Sequence, residues 1–432
     1  MRNVRRRLTG CVLVAVAAGA LAMSGLSSAG AAASSEEGVT NNSVKIGYIF
    51  SQTGVAGSTF QNADKGCKAR IDRQNAAGGV NGRKIDVIYS DDQSANNLTV
   101  AQDLVQNKHV FAIMNNSSFA FSTYRWLQDH NIPQIGGGYD GTYYGDPGNQ
   151  NIISALGNVF PQNGVTGDGI PKIMKAMGAH KVAALAYGVS PSSTAAAQSL
   201  IKYAVPATGL KKGYLNTTVD FGSTDVGPYV LGIKNDGADA VYLPLVANSN
   251  IAVAQQLAQN GVKMKSIVMA TGYGQPLLDQ PASKSFTPNI VMATGWAPVE
   301  LKTKATEQFQ ADLKKYTGYT GVPDFGVYTG YIDCDLVVLG LQHAGNPPTR
   351  QGFIDGLHTL GHFNPGGGLG CQDVDISLKD YGKAAPTGCS WYVQVKNGKF
   401  VVFKQKNGQS IWTSKLIAAS TAATTTTTAP AS

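Results

Sequence analysis

Charged side chains are scarce in this sequence, and long hydrophobic runs are missing. Only 14% of the 432 residues are charged and 43% are hydrophobic, a composition that excludes a disordered or coiled-coil protein and predicts a globular one. The longest apolar run, Val12 to Met23, has about a dozen residues, whereas a membrane-spanning helix needs roughly 20. We therefore expect no membrane span in the mature protein.

The first 31 residues have the arrangement of a secretory signal peptide. Four arginines within the first seven residues precede the apolar run, and Ala29-Gly30-Ala31 offers a small-residue cleavage site. Removal of residues 1–31 takes away those arginines and no acidic residue, so the net charge falls from +8 to +4. No remaining basic segment is interleaved with aromatic residues, so nucleic acid is not an expected partner.

Cysteine is also scarce, and its placement bears on localisation. Cys11 precedes the apolar run, whereas a lipoprotein cysteine follows it, so we expect no lipid anchor. The exported protein is then periplasmic, cell-wall associated or secreted. An even number of cysteines in an exported chain predicts two disulfides. The cysteines left after cleavage are Cys67, Cys334, Cys371 and Cys389.

Short β-rich runs alternate with amphipathic segments from Val44 onward, which is the pattern of βαβ units. The strand candidates form two groups: Val44–Phe50, Lys84–Ser90, Val110–Asn115 and Ile132–Gly136, then Lys181–Tyr187, Ala240–Val246, Ser266–Ala270 and Asn289–Thr294. We therefore predict an α/β fold with two mostly parallel sheets. Residues 416–432 are rich in Thr and Ala and are expected to form a disordered tail.

A series of short motifs follows the first predicted strand. In chain order they are Thr53-Gly54, Gly66, the segment NAAGGVNGRKI from Asn75, the segment SDDQS from Ser90, Asp225 and Asp239. From about Val44 to Phe403 the sequence resembles the type I extracytoplasmic (periplasmic) solute-binding proteins of ABC importers, specifically the branched-chain amino acid (leucine, isoleucine, valine) and amide-binding family. The glycines of the NAAGGVNG segment allow a tight turn, and Asp91 and Asp92 are interpreted as capping residues.

The resemblance implies a two-lobed type I fold, in which each lobe is a mostly parallel sheet flanked by helices and a multi-strand hinge joins the lobes. It places residues 42–157 and 293–347 in lobe I and residues 158–292 and 348–408 in lobe II. It also implies a small-molecule ligand, an ABC permease as the membrane partner, and a monomer. The alternative is a sensor subunit that presents its closed lobes to a membrane receptor, since both use the same hinge.

Ligands of open α/β sheets bind outside the carboxyl ends of the strands. Candidate ligand-binding residues near those ends are Gln52, Thr53, Ser117, Ser118, Gly138, Tyr139, Asp140, Tyr187, Asn248, Tyr273 and Trp296. The resemblance implies that the Ser117 hydroxyl holds a ligand carboxylate. It also implies that Gly138 and Asp140 occupy the next carboxylate- and ammonium-binding positions.

The sequence departs from that family pattern on both lobes. Asp140 stands where the family usually has a threonine, and its carboxylate would repel a ligand carboxylate. On lobe II, Val246 replaces an aromatic hydroxyl, and the loop 270–273 lacks the acid that amino-acid binders use for the ammonium group. Unless Asp140 takes that role, the expected ligand is not a plain α-amino acid. The remaining hydroxyls, amides and aromatic faces suit a neutral molecule with apolar bulk.

The cysteines and histidines complete the predictions. Cys371 and Cys389 flank a turn-rich stretch, and Cys67 and Cys334 lie on helices that this fold places in lobe I, so these are the expected disulfide pairs. His358 and His362 are spaced to share a helix face, which makes a zinc site an alternative. No HExxH motif accompanies them, and no Gly-x-Ser-x-Gly motif is present. We expect no metal, no cofactor and no enzymatic activity.

Overall fold

A computed structural model describes residues 36–136, 143–144, 148–157, 165–281, 288–379 and 387–418. The predicted signal peptide, the candidates Gly138, Tyr139 and Asp140, and residues 419–432 of the predicted tail lie outside the described residues. No helix in the described ranges is long and apolar enough to cross a membrane.

The described chain alternates strands and helices, as the sequence pattern predicts. The strands are β1 (Ser43–Phe50), β2 (Lys84–Asp91), β3 (Ala112–Asn116), β4 (Gln134–Gly136), β5 (Ile152–Ser154), β6 (Val165–Gly167), β7 (Lys181–Tyr187), β8 (Lys211–Val219), β9 (Ala240–Leu243), β10 (Ser266–Met269), β11 (Ile290–Thr294), β12 (His362–Phe363), β13 (Val374–Asp375), β14 (Thr387–Lys396), β15 (Lys399–Val402) and β16 (Trp412–Ala418). The helices are α1 (Gly57–Phe60), α2 (Ala63–Ala76), α3 (Asn97–Gln106), α4 (Tyr124–Asp129), α5 (Gly169–Ala176), α6 (Pro191–Ser199), α7 (Val205–Ala207), α8 (Gly227–Asp236), α9 (Ala247–Gln259), α10 (Gln275–Leu278), α11 (Lys304–Thr317), α12 (Phe325–His343) and α13 (Arg350–Leu360).

Two sheets organise the fold and confirm the two-lobed α/β prediction. Lobe I contains a fully parallel sheet in the order β2-β1-β3-β4-β5. Lobe II contains the larger sheet, in the order β6-β16-β14-β11-β10-β9-β7-β8 with β15 beside β14. Strands β7 to β11 of that sheet pair in parallel, and β14 joins β11 in the antiparallel sense.

Burial explains which strands the sequence pattern detects. Strand β1 has neighbours on both sides and is buried along Ile46–Phe50, so it forms the continuous apolar run of a central parallel strand. Strand β8 pairs only with β7 and is half-buried or exposed over most of its length. Its sequence, KKGYLNTTV, therefore lacks an apolar signature, and the strand was not predicted.

Helices α2 and α12 pack closely in lobe I, and this contact explains the Gly66 motif. A Cβ atom at Gly66 would lie 1.9 Å from the carbonyl oxygen of Val327, so only glycine fits there. One residue further along, Cys67 is joined to Cys334 of α12, with their Cα atoms 5.2 Å apart. Side chains larger than hydrogen at position 66 would force the two helices apart.

Helix α13 packs on lobe I, although the resemblance places residues 348–408 in lobe II. The Arg350 guanidinium donates from Nε to the Phe111 carbonyl oxygen at 2.9 Å. The Phe353 ring meets the Phe111 ring edge-on at 5.8 Å between centroids. Both contacts bring α13 against the start of β3.

The end of the described chain also differs from the predicted tail. Leu416 to Ala418 belong to strand β16, which lies between β14 and β6. Leu416 pairs with Gly167 and Ala418 with Val165. These backbone hydrogen bonds order residues whose composition alone gives no strand signal.

The hinge brings crossing segments of the two lobes side by side. Trp296 and Gly370 form an antiparallel bridge, and the Ala297 amide donates to the Leu369 carbonyl oxygen at 2.7 Å. Cys371, which directly follows Gly370, forms a disulfide with Cys389 near the start of β14. The structure thus contains both predicted disulfides.

Candidate functional site

The two lobes face each other across a cleft, where α1 of lobe I meets the start of α9 of lobe II. The Ser58 hydroxyl donates to Asn248 Oδ1 at 3.1 Å, and the Ala247 amide donates to Thr59 Oγ1 at 3.1 Å. Asn248 also donates from Nδ2 to the Gly222 carbonyl oxygen at 3.1 Å. The predicted site residue Asn248 therefore lies in the cleft and bonds directly to the opposite lobe.

Aromatic rings bridge one end of this cleft. Phe119 follows β3 of lobe I, Phe221 follows β8 of lobe II, and their ring centroids are 5.1 Å apart. Phe221 also lies 4.5 Å from the ring of Tyr187, at the end of β7. These strand ends meet as the carboxyl-edge rule predicts, although neither phenylalanine was among the predicted site residues.

A cavity opens between the lobes beside α1 and the start of α9. It holds about 420 Å³ of empty space, part of it open to solvent. Its lining residues are Ser58, Thr59, Gln61, Asp324 and Phe325 from lobe I, and Ala247, Ile251, Thr271, Gly272, Tyr273, Gly274, Pro276, Leu277 and Gln280 from lobe II. None of these lining residues is a lysine or an arginine, so the cavity wall carries no permanent cation.

Asp324 is the acidic residue of the cavity wall, and its carboxylate is already bonded. It caps α12 by accepting the Val327 amide at 2.9 Å, and it accepts Asn62 Nδ2 at 2.6 Å. Burial raises the pKa of Asp324, and these hydrogen bonds oppose the rise. Asp324 therefore acts as a structural cap at the cavity wall, with both of these hydrogen bonds made inside lobe I.

Tyr273 lines the cavity with its ring, while its hydroxyl group points into the hinge. The hydroxyl donates to Glu300 Oε2 at 2.8 Å and accepts the Val299 amide at 3.1 Å. Burial raises the pKa of Glu300, and the hydrogen bond from Tyr273 opposes this rise. The predicted residue Trp296 is buried in the hinge core. Of these two predicted aromatics, the structure brings Tyr273 to the cavity.

The predicted residue Ser117 lies at the end of β3, below the Phe119 ring, and is fully buried. Its hydroxyl donates to the Asp92 carboxylate and accepts the Phe119 amide at 3.0 Å. The single proton of the Ser117 hydroxyl is therefore held by Asp92 and is not available to a ligand. In this closed arrangement Ser117 orients Phe119.

The adjacent acids Asp91 and Asp92, predicted as capping residues, bond to the loops at the strand ends, and the N-cap position of helix α3 is occupied by Asn96. Asp91 accepts the Thr53 hydroxyl at 2.6 Å and the Gln52 amide at 3.0 Å. Burial tends to raise the pKa of Asp91, but hydrogen bonds from Thr53, Gln93 and Gln52 hold it below its usual value. Gln52 and Thr53 themselves are exposed at the cleft rim.

No curated protein sequence matches the chain. The profile of the periplasmic binding protein family matches residues 43–399. The chain belongs to this family.

Solved structures of other periplasmic binding proteins share the fold. The chain is similar to a fatty acid ABC transporter substrate-binding protein from Thermomonospora curvata, with 20% identity and a TM-score of 0.71 over 86% of this chain and 93% of that chain. It is also similar to the branched-chain amino acid transporter substrate-binding protein of Streptococcus pneumoniae in complex with isoleucine. That match has 20% identity and a TM-score of 0.66 over 84% of this chain and 100% of that chain. A third similar structure is an ABC transporter solute-binding protein from Rhodopseudomonas palustris in complex with p-hydroxybenzoic acid. It has 18% identity and a TM-score of 0.68 over 87% of this chain and 97% of that chain.

The sequence analysis missed the lobe I wall of the cavity in this binding protein. Ser58 and Thr59 belong to a helix of four residues, too short to give a periodic pattern. Asp324 and Phe325 are far along the chain, at the start of α12. An available signal was Asp324 itself, since an aspartate directly before a long apolar helix is a typical N-cap.

Among the described residues, no group of three or more His, Cys, Asp or Glu residues could hold a metal ion. Helix α13 ends at Leu360, and Gly361 adopts a φ of 76°, so His362 lies on β12 and shares no helix face with His358. The ring nitrogens of His358 lie 2.7 Å and 2.8 Å from the carbonyl oxygens of Ile376 and Gln150. The i, i+4 histidine pair therefore does not form.

Proposed function

We propose that this periplasmic binding protein is the receptor subunit of an ABC importer and captures an uncharged small organic molecule between its lobes. The observation that supports this proposal is the interlobe cavity. Both lobes contribute to its wall, the wall has no lysine or arginine, and the Asp324 carboxylate is bonded within lobe I. A mainly apolar pocket with a few polar groups suits a neutral ligand.

A charged ligand would lack partners in this cavity. A buried carboxylate needs a cation or several aligned donors, and a buried ammonium group needs a free acid. The cavity offers instead the hydroxyls of Ser58, Thr59 and Thr271 and the amides of Gln61 and Gln280. Thr271 already donates to the Leu245 carbonyl oxygen at 2.8 Å, which fixes its orientation. Such groups hydrogen-bond to alcohols, amides and ketones without a charge to neutralise.

Ligand capture works by a shift between open and closed lobes. A ligand that contacts α1 and the α12 start on lobe I, and α9 and the 271–274 loop on lobe II, stabilises the closed state more than the open state. The Ser58–Asn248 and Ala247–Thr59 hydrogen bonds connect the same elements, so they add to that preference. The permease then recognises the closed pair of lobes.

The proposed function also includes export of the protein and delivery of its ligand to an ABC permease. The structures similar to this chain include ABC transporter proteins in complex with isoleucine and with p-hydroxybenzoic acid. Because one fold serves such different ligands, the lining of the cavity, not the fold, is our basis for the ligand class. We propose that the protein acts outside the cytoplasm as a monomer, after loss of residues 1–31.

A thermal-shift screen tests the ligand class. The full chain is heated with matched sets of small amides and alcohols, their carboxylate analogues, and zwitterionic amino acids. A ligand bound to the native state raises the melting temperature by mass action. The proposal expects uncharged compounds to raise it. Stabilisation by anions or amino acids alone would contradict the proposed class.

A further inference from the structure

The large sheet of lobe II has two edges at its strand ends, and one of them faces away from the cleft. The carboxyl ends of β7 and β8 lead to Tyr187 and Phe221, beside lobe I. The amino ends of β7 to β11 lie at the opposite, outer edge, roughly 20 Å away along β7 at about 3.3 Å per residue. Strand β14 runs antiparallel to β11, so its last residues reach the same outer edge. A partner bound at the outer edge leaves the cleft free.

Exposed lysines lie along this outer edge. They are Lys211 and Lys212 at the start of β8, Lys263 and Lys265 directly before β10, and Lys396 and Lys399 in the hairpin of β14 and β15. We call these six residues the basic edge. Because adjacent strands are about 4.8 Å apart, the row from β8 through β7, β9, β10 and β11 to β14 is roughly 25 Å long. The fold, and not a basic segment of the sequence, gathers this charge.

The ammonium groups of the basic edge have no partner inside the protein. None of them forms a hydrogen bond or a salt bridge within the ranges that the structure describes. Two other lysines differ in this respect, because they lie in the last turns of α5 and α8 and complement helix ends. Lys175 donates to the Thr208 carbonyl oxygen at 2.7 Å, and Lys234 to that of Asn260 at 3.2 Å. The lysines of the basic edge are thus not explained by helix capping.

Two aspartates lie at the outer edge, and both bond to residues other than the basic edge. Asp236 Oδ1 lies 2.9 Å from Lys181 Nζ. Asp239 accepts the Lys181 amide at 2.8 Å and lies 2.8 Å from His180 Nδ1. These acids fix the start of β7 and neutralise Lys181. The charge of the basic edge therefore stays unbalanced.

The hairpin of β14 and β15 places two of these positive charges opposite each other. Lys396 pairs directly with Lys399 across the Asn397-Gly398 turn. Like charges at directly opposite positions destabilise a strand pair. An external anion at the outer edge would relieve this repulsion, so the pair favours an anionic partner.

We propose that the basic edge binds the surface of a membrane that contains anionic phospholipids. This inference goes beyond the proposed function, because the bound surface lies opposite the cleft of lobe II. Successive residues of a strand point to opposite faces, so Lys211 and Lys212 spread the charge to both sides of the sheet. A broad array of ammonium groups matches a surface of many phosphate groups better than a single polymer strand. The contact acts within a Debye length of about 8–10 Å.

Sedimentation with lipid vesicles tests the proposal. The protein is used in its proposed mature form without residues 1–31, which precede every helix and strand described. It is mixed with vesicles of equal parts phosphatidylglycerol and phosphatidylcholine, or of phosphatidylcholine alone. The proposal expects binding to the anionic vesicles only, and loss of that binding at about 1 M salt, where the Debye length is about 3 Å. Equal binding to both vesicle types, or no binding to the anionic vesicles at low ionic strength, would overturn it.

Neutralisation of lysines locates the binding surface. The triple variant Lys211→Gln/Lys265→Gln/Lys396→Gln should bind anionic vesicles at least about tenfold more weakly than the wild type. The control Lys304→Gln/Lys314→Gln/Lys315→Gln removes the same charge from exposed positions on α11 of lobe I and should retain the affinity. Equal weakening in both variants would show that binding follows the net charge and not the basic edge, and would overturn the proposal.

Inorganic polyphosphate separates a membrane from a linear polyanion, because it offers phosphate groups without a surface. At equal phosphate concentration, the proposal expects the protein to bind the anionic vesicles more tightly. Tighter binding to polyphosphate would assign the basic edge to a polymer and overturn the membrane contact. None of these experiments involves the interlobe cavity, so the proposed receptor function stands or fails separately.

Discussion

The Ser117 hydroxyl donates to the Asp92 carboxylate at the base of the cleft in lobe I, and both side chains are fully buried. Asp92 further accepts Asn97 Nδ2 at 2.9 Å and the Ser51 hydroxyl at 2.8 Å. These bonds satisfy a buried carboxylate that forms no salt bridge within the part of the chain that the structure describes. The position that the family resemblance assigns to a ligand carboxylate is thus occupied by a carboxylate of the protein itself.

Ser117→Ala should destabilise the protein and weaken ligand binding. It removes one donor to the buried Asp92 carboxylate and the acceptor for the Phe119 amide, which costs about 1–3 kcal/mol of unfolding free energy. Urea unfolding measures the stability, and titration with a ligand from the screen measures the affinity. Ser118→Ala, at the half-buried neighbouring position, is the control. Wild-type stability and affinity in Ser117→Ala would remove Ser117 from this role.

Asp333 makes the stability of lobe I depend on pH. It lies on α12 and is 1% exposed, and its Oδ2 atom has no hydrogen-bond partner among the described residues. Burial raises the pKa of Asp333 to about 8, with a hydrogen bond from Asn116 opposing the rise. The unfolded chain has the ordinary aspartate pKa of about 3.9. The folded protein therefore holds an extra proton between about pH 4 and pH 8.

Because the folded state binds more protons in that window, this group's contribution to stability falls as the pH rises through it. The fall is up to about 1.4 kcal/mol per pH unit. Asp333→Asn, which resembles the protonated acid, should remove this contribution and be more stable than the wild type at pH 8. Urea unfolding at pH 6 and pH 8 measures the difference, with the exposed Asp355→Asn as control. A constant difference between wild type and Asp333→Asn across this range would refute the assignment.

Leucine, isoleucine and valine should bind poorly. The cavity residues on lobe II, including Thr271 and Tyr273, offer no acid for an α-ammonium group, and Asp324 is bonded to Asn62 and the Val327 amide. Burial of a zwitterion would leave both charges without partners. Titration calorimetry at pH 7 should show no binding in the micromolar range. Micromolar affinity for any of the three would disprove this prediction.

The two disulfides should differ in their effect on stability. Cys67–Cys334 spans 267 residues and fixes α2 to α12, whereas Cys371–Cys389 spans 18 residues beside the hinge. Chain-entropy arguments assign about 5 kcal/mol to the long loop and about 3 kcal/mol to the short one. The double variant Cys67→Ala/Cys334→Ala should therefore melt at a lower temperature than Cys371→Ala/Cys389→Ala. The reverse order by calorimetry would contradict the prediction.

The sequence predicts the parallel strands of both lobes well, because central parallel strands are buried on both faces and form apolar runs. Strands β8 and β16 are not predicted from the sequence, because their formation depends on pairing with neighbouring strands and not on an apolar run. The lobe assignment of α13 rests on the contacts of Arg350 and Phe353 with Phe111, which no local pattern reveals.

The candidate site likewise contains residues that the sequence predicts and residues that it does not. The strand-end rule leads to Asn248 and Tyr273, which follow β9 and β10 and lie in the cleft. It does not extend to Ser58, which lies on the four-residue helix beyond the loop after β1, or to Asp324, which follows helix α11 and not a strand. It also cannot show that the Tyr273 hydroxyl bonds to Glu300, because that depends on the packing of the hinge.

Calorimetric titration of an uncharged ligand into a variant with a filled cavity tests the central claim most directly. Ala247→Leu adds bulk to the cavity wall at the start of α9, and Ala252→Leu adds the same bulk elsewhere on that helix, outside the lining. With the uncharged compound that gives the largest thermal shift, we predict at least about tenfold weaker binding to Ala247→Leu than to the wild type and to Ala252→Leu. Equal affinity in all three proteins would contradict binding between the lobes.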